Sequence, residues 1–83
     1  SNDVILIDLR ESIEIEKKSS LLNSINIPYS TLQEYLKNQK ELLKNKILIF
    51  YCAVGERSAL AIQISQAYDF KKTFHLVGGI NNL

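Results

Sequence analysis

Apolar residues in this chain gather in short unbroken runs, separated by stretches with helical spacing. Val4-Ile5-Leu6-Ile7 and Ile47-Leu48-Ile49-Phe50-Tyr51 are rich in β-branched or aromatic residues, the pattern of strands covered on both faces of a parallel sheet. Thr73-Phe74-His75-Leu76-Val77 reads as a third strand. Ser24 to Ile27 reads as a weaker fourth, closed by Pro28, which cannot donate to a ladder. Ser30 and Gln33 have the spacing of a capping box. Beyond them Leu32, Tyr35, Leu36, Leu42 and Leu43 fall on one helical face, with Lys37, Lys40, Glu41 and Lys44 opposite and a break expected near Asn38. A second helix is expected from Ser58 to Tyr68, with Leu60, Ala61, Ile64, Ala67 and Tyr68 as its apolar stripe. Strands alternating with helices predict an α/β fold: a small open parallel sheet flanked by helices.

Length and composition narrow this picture. Eighty-three residues allow one small domain with a modest core. There are no repeats, low-complexity tracts or Pro/Gly-rich linkers to divide it. Ten basic against nine acidic residues leave a charge of +1, with no cationic block longer than a Lys pair. Neither a nucleic-acid groove nor a membrane face is expected from that balance. The longest apolar run, Ile47 to Val54, is too short to span a bilayer. One Cys rules out an internal disulfide framework and a multi-Cys zinc site, and it suits a reducing compartment, here the cytoplasm. Ser1-Asn2 reads as an expression-tag remnant, leaving residues 3–83 as the single domain. The chain stops at Asn81-Asn82-Leu83 where a further helix is expected to begin, which points to a piece of a longer protein.

Ligands of parallel α/β sheets bind beyond the carboxyl ends of the strands. Three segments reach that edge: Asp8-Leu9-Arg10, Cys52 to Arg57, and Gly78-Gly79. The central one carries the most chemistry. Between a strand and the N-terminus of the following helix, the amides of Ala53, Val54, Gly55, Glu56, Arg57 and Ser58 curl toward the loop centre as a nest for negative charge. The helix dipole and the Arg57 guanidinium add to it, and Gly55 permits a positive φ. Cysteines in such surroundings titrate at roughly 3.5–7.5 instead of about 8.5. A lone Cys is more often a buried core residue. Its place at a strand end, with Gly and Arg at loop spacing, favours a reactive thiolate instead.

These residues resemble those of the rhodanese family, in its single-domain sulfurtransferase form. The resemblance rests on Cys52-x-x-Gly55-x-Arg57-Ser58-Ala59, Ile7-Asp8-Leu9-Arg10-Glu11, Ile25-Asn26-Ile27-Pro28 and Val77-Gly78-Gly79-Ile80, in the family's order along nearly the whole chain. It implies that Cys52 accepts a sulfane sulfur, holds it as a persulfide, and passes it to a nucleophilic acceptor. Arg57 and the loop amides would steady the negative charge. The donor would be thiosulfate or a cysteine desulfurase persulfide, and the acceptor a thiol or the C-terminus of a carrier protein. No metal or organic cofactor is implied. Related phosphatases of this fold carry one more residue between Cys and Arg than the four found here. Modules of this family are often fused to ubiquitin-activating-like adenylyltransferases serving thiamine, molybdopterin or tRNA thiolation. The competing expectation is a non-catalytic binding module that keeps its Cys by descent.

Two departures stand out. Lys17 to Ser24 replaces the Gly-His-Ile-Pro-Gly-like segment usual in the family and is one residue longer, and the closing helix usual after Gly78-Gly79 is not reached. Asp8 and Arg10 are expected in support, Arg10 as the ion-pair partner of a nearby carboxylate. Glu56 is expected to face solvent, Lys17-Lys18 and Lys71-Lys72 to be solvated, and Gly78-Gly79 to serve a backbone turn beside the Cys loop. His75 has neither a second His nor a neighbouring Cys in sequence, and is expected to be satisfied or solvent-facing rather than a ligand or base.

Overall fold

The computed structural model describes residues 3–83, so the Ser1-Asn2 expectation lies outside the described residues. Four parallel strands form one open sheet: β1 (Val4–Asp8), β2 (Ile25–Asn26), β3 (Ile47–Tyr51) and β4 (Thr73–His75), in the order β2-β1-β3-β4. β1 and β3 are the central pair, in register from Val4 opposite Ile47 to Asp8 opposite Tyr51. The chain leaves β1 for β2 on one side and returns to β3 on the other. The carboxyl ends of β1 and β3 therefore flank the topological switch point, where such sheets open a crevice.

The helices are α1 (Ser12–Lys17), α2 (Leu32–Asn38), α3 (Lys40–Leu43) and α4 (Glu56–Ala67). Ile7, Leu48 and Phe50 from the central strands meet Leu32, Leu36, Ala61 and Phe70 in the main core. Each large side chain buried there contributes about 1.5–3 kcal/mol. The break expected near Asn38 falls at Gln39, and it rotates α3 so that Leu43 is buried while Leu42 faces water.

Two helical expectations need correction. The Ser30/Gln33 capping box does not form, because Pro28 opens a 3-10 turn over Tyr29–Thr31 and moves the start of α2 to Leu32. Ser30 instead reaches Glu11 at 3.4 Å, and Gln33 donates to the Tyr68 hydroxyl at 3.0 Å. In α4 the buried line is Ser58, Ala61 and Ser65, whereas Leu60 and Ala67 are exposed. Small residues let this helix lie close to β3 and β4, so its inner face carries little of the hydrophobicity that marks a stripe in sequence. No helix among the described residues is long and apolar enough to cross a membrane.

Candidate functional site

The switch point is built from the residues that follow β1, β3 and β4. Cys52 leaves β3 fully buried, and α4 begins at Glu56, two residues earlier than the sequence pattern suggests. Gly55 is the residue just before the helix, with φ +100°, and its N–H donates to Cys52 Sγ at 3.1 Å. A Cβ at Gly55 would sit 2.9 Å from the Gly78 amide nitrogen, so both the left-handed backbone and the close packing exclude a side chain. Gly79 (φ +72°) is pressed against the Ala53 carbonyl, which a Cβ there would overlap. Backbone bonds from Ile80 N–H to the Cys52 carbonyl (2.9 Å) and from Asn81 N–H to the Ala53 carbonyl (3.0 Å) tie the two segments together. The Gly78-Gly79 turn is thus a backbone buttress for the Cys52 loop, as expected.

Opposing effects act on the Cys52 thiol. Burial is the largest and pushes its pKa up, because a thiolate loses its hydration. The Ser58 amide and hydroxyl and the Gly55 and Arg57 amides act the other way, and together they hold the thiol below its ordinary range. Val54 and Glu56 turn outward and are exposed, which agrees with the expectation for Glu56. Ser58 lies fully buried with its Oγ 3.8 Å from Cys52 Sγ, 3.2 Å from the Gly55 carbonyl and 2.9 Å from Nδ1 of half-buried His75.

The Arg57 side chain interacts with Cys52 and also pairs with Glu14 of α1. Its guanidinium makes a fork-to-fork pair with Glu14 of α1, Nη1 to Oε2 and Nη2 to Oε1, each at 2.8 Å. The pair holds the Glu14 carboxyl at a pKa of about 2 and the guanidinium above its usual value. Hence the Arg57 charge is shared between the Glu14 carboxylate and the Cys52 sulfur, and the loop amides and Ser58 hydroxyl add to the bias toward thiolate. Glu14 was not legible as a site residue, being 43 positions from its partner. The available signal was the acidic cluster after β1, which returns to the functional edge through α1.

Asp8 and Arg10 form a second ion pair, buried and separate from the sulfur. Arg10 Nη2 lies 2.9 Å from Asp8 Oδ2, Nε lies 3.1 Å from Oδ1, and the Arg10 amide donates to Oδ1 at 2.9 Å. Burial raises the Asp8 pKa, yet the bonds from Arg10 and Ser20 outweigh it and the net direction is down. Arg10 Nη1 also donates to the Lys18 carbonyl (2.9 Å), and Leu21 N–H donates to the buried Tyr51 hydroxyl (2.8 Å). The unusual Lys17 to Ser24 segment is fastened to the sheet by these bonds. Lys18 Nζ donates to the Ile80 carbonyl at 3.0 Å, so this lysine is not merely solvated. A cleft of about 180 Å³ beside the loop is lined by Arg10, Glu14, Lys17, Lys18, Ala53 and Asn81. A larger groove of about 500 Å³ lies at the amino ends of β3 and β4, away from Cys52.

The rhodanese-like domain family model matches residues 1–83, and the chain belongs to that family. It is 32% identical over 89 residues to mouse thiosulfate sulfurtransferase/rhodanese-like domain-containing protein 3, covering 95% of this chain and 57% of that protein. It is 33% identical over 81 residues to the tRNA uridine(34) hydroxylase of an Enterobacter strain, covering 94% of this chain and 23% of the hydroxylase. The chain therefore spans little more than half of the first relative and about a quarter of the second. Among solved structures, a Rhodopseudomonas palustris protein of unknown function, described as a possible tyrosine phosphatase, superposes with TM-score 0.88 at 32% identity, over 96% of this chain and 64% of that one. A single-domain sulfurtransferase of Saccharomyces cerevisiae superposes with TM-score 0.76 at 27% identity, over 96% and 72%.

Proposed function

We propose that this domain is a sulfurtransferase in which Cys52 carries sulfane sulfur as a persulfide. The carrying observation is a buried sulfur facing the Gly55, Arg57 and Ser58 amides at the N-terminus of α4, which favour an anion despite the burial. The Cys52 thiolate attacks the outer sulfur of a donor such as thiosulfate or a protein persulfide. A new S–S bond forms as the old one breaks, and the leaving group (sulfite or a thiolate) departs with the electron pair. The persulfide's terminal sulfur is anionic in its turn, and the same amides are suitable donors to it. An acceptor thiolate then attacks that outer sulfur, a new S–S bond forming as the bond to Cys52 breaks, and the Cys52 thiolate departs with the electron pair. The chain's own groups supply the nucleophile and its cradle, so the cycle as written needs no cofactor. A reducing compartment such as the cytoplasm suits a free thiolate carrier.

The mouse relative's name and the yeast neighbour favour this reading. The four residues between Cys52 and Arg57 disfavour a phosphatase, despite the Rhodopseudomonas neighbour's description. The hydroxylase match supports a second reading, a rhodanese-like module serving a larger enzyme in which Cys52 acts in another reaction. Replacing Cys52 with Ser separates catalysis from binding. Transfer from thiosulfate to cyanide should fall to the uncatalysed rate with the fold retained, and transfer that persists in this variant would remove Cys52 from the mechanism.

A further inference from the structure

The buried thiol must lose a proton before it can attack, and among the described residues no carboxylate hydrogen-bonds the sulfur to take it. Among the described residues Cys52 Sγ donates to Ser58 Oγ at 3.8 Å, and beyond it stands His75 Nδ1, 2.9 Å from the same oxygen. Ser58 has a single hydroxyl hydrogen. That hydrogen has two acceptors in reach, the Gly55 carbonyl at 3.2 Å and a bare Nδ1 at 2.9 Å; in either direction an Oγ lone pair is left to accept the Cys52 S–H, and the relay uses the shorter bond, to Nδ1. We propose that His75 is the proton acceptor for Cys52, acting through Ser58. His75 never meets the sulfur and is therefore a positioning residue, one that sets the direction of the Ser58 hydroxyl.

The step balances. The S–H bond breaks as an O–H bond forms on Ser58, while the original Ser58 hydrogen passes to Nδ1. The products are a thiolate, an intact serine and an imidazolium. Nδ1–H then donates to Ser58 Oγ, and the hydrogen received from sulfur is held between Ser58 Oγ and the thiolate. The hydroxyl thus reverses from acceptor to donor as the sulfur becomes anionic. Half-burial lets His75 pass its proton on to water. The titratable groups on the elements packed against β4 are Tyr51 and Cys52 from the β3 end, and Glu56, Arg57, Tyr68 and Asp69 from α4 and its exit; Lys71 and Lys72 precede β4. Of these, Tyr51 is hydrogen-bonded to Leu21 and Ser24, Arg57 pairs with Glu14 and interacts with Cys52, and Asp69 pairs with Lys40; Nδ1 itself is bonded to Ser58.

This inference rests on the reading of Cys52 as a nucleophile, but its test uses no sulfur donor and so stands or falls separately from persulfide formation. The chain has one Cys and one His, so alkylation and imidazole NMR each report a single site. Iodoacetamide alkylation of the wild type should rise with pH in two steps if the relay couples the thiol to the imidazole. In H75N the amide oxygen can still accept from Ser58 but cannot take up the proton. Its profile should collapse to one step, with the rate at pH 7 falling about fivefold or more. S58A should do the same with His75 in place, and C52S should move the imidazole titration curve. H75Q serves as the second variant should H75N prove unfolded by circular dichroism. A two-step profile retained in a folded H75N or H75Q variant, or an imidazole titration unmoved in C52S, would overturn the relay and leave His75 as a prop for Ser58.

Discussion

Two arginines at the carboxyl edge of the sheet each meet a carboxylate, and their settings lead to different consequences. Arg10 is 2% exposed and its partner Asp8 is fully buried, with the Lys18 carbonyl and Ser20 hydroxyl completing the cluster. Arg57 and Glu14 are 22% and 31% exposed and lie beside the Cys52 loop. The first pair is locked on all sides and fastens the Lys17 to Ser24 segment to β1. The second is open to water on one side and sits where charge would develop on sulfur. Similar bidentate chemistry therefore serves architecture in one place and electrostatics in the other, and burial decides which.

Breaking each pair should expose that difference. Asp8→Ala leaves a buried guanidinium without its counter-charge and should cost about 3–5 kcal/mol in chemical denaturation. A loss below about 1 kcal/mol would mean that the cluster is not structural. Arg57→Ala should act mainly on chemistry. It removes a cation and leaves the Glu14 carboxylate uncompensated near the loop, so the thiol pKa should rise and alkylation at pH 7 should slow by about three- to tenfold. An unchanged iodoacetamide pH profile would show that Arg57 does not help to set the thiolate.

Glu14→Gln should give the smallest and most informative change. Stability should fall by only about 1 kcal/mol, because water screens the pair. Alkylation at pH 7 should quicken, the guanidinium charge near the sulfur being no longer offset by a carboxylate. The acid limb of stability should change as well. Glu14 is lowered from 4.5 to about 2, so its contribution is complete above pH 4.5 and is lost as pH falls toward 2. In Glu14→Gln that part of the decline should vanish, while the part owed to Asp8 remains. An acid limb identical to wild type would detach Glu14 from folding.

The contrast also explains what the sequence could and could not reveal. β1 and β3 were legible because strands covered on both faces must be continuously apolar. The Cys52 to Arg57 loop was legible because its chemistry is contiguous, the amides and the thiol lying within one turn of chain. The Asp8–Arg10 pair, two residues apart, was legible in kind. Glu14 and His75 were not, since the residues they meet are 43 and 17 positions away and become neighbours only when the sheet closes the distance. The inner face of α4 misled for a different reason. Close packing on β3 and β4 demands small residues, so Ser58, Ala61 and Ser65 are buried where a hydrophobic stripe would have placed Leu60 and Ala67.

Sulfur carriage by Cys52 is the central claim, and intact mass tests it most directly. The domain would be incubated with thiosulfate and, separately, with a persulfide donor, then weighed before and after cyanide. Gain of a single sulfur atom, absent in Cys52→Ser and discharged by cyanide, is the expected result. An unchanged mass with both donors, from folded protein whose Cys52 alkylates readily, would contradict it and favour the module that lends its thiol to another reaction.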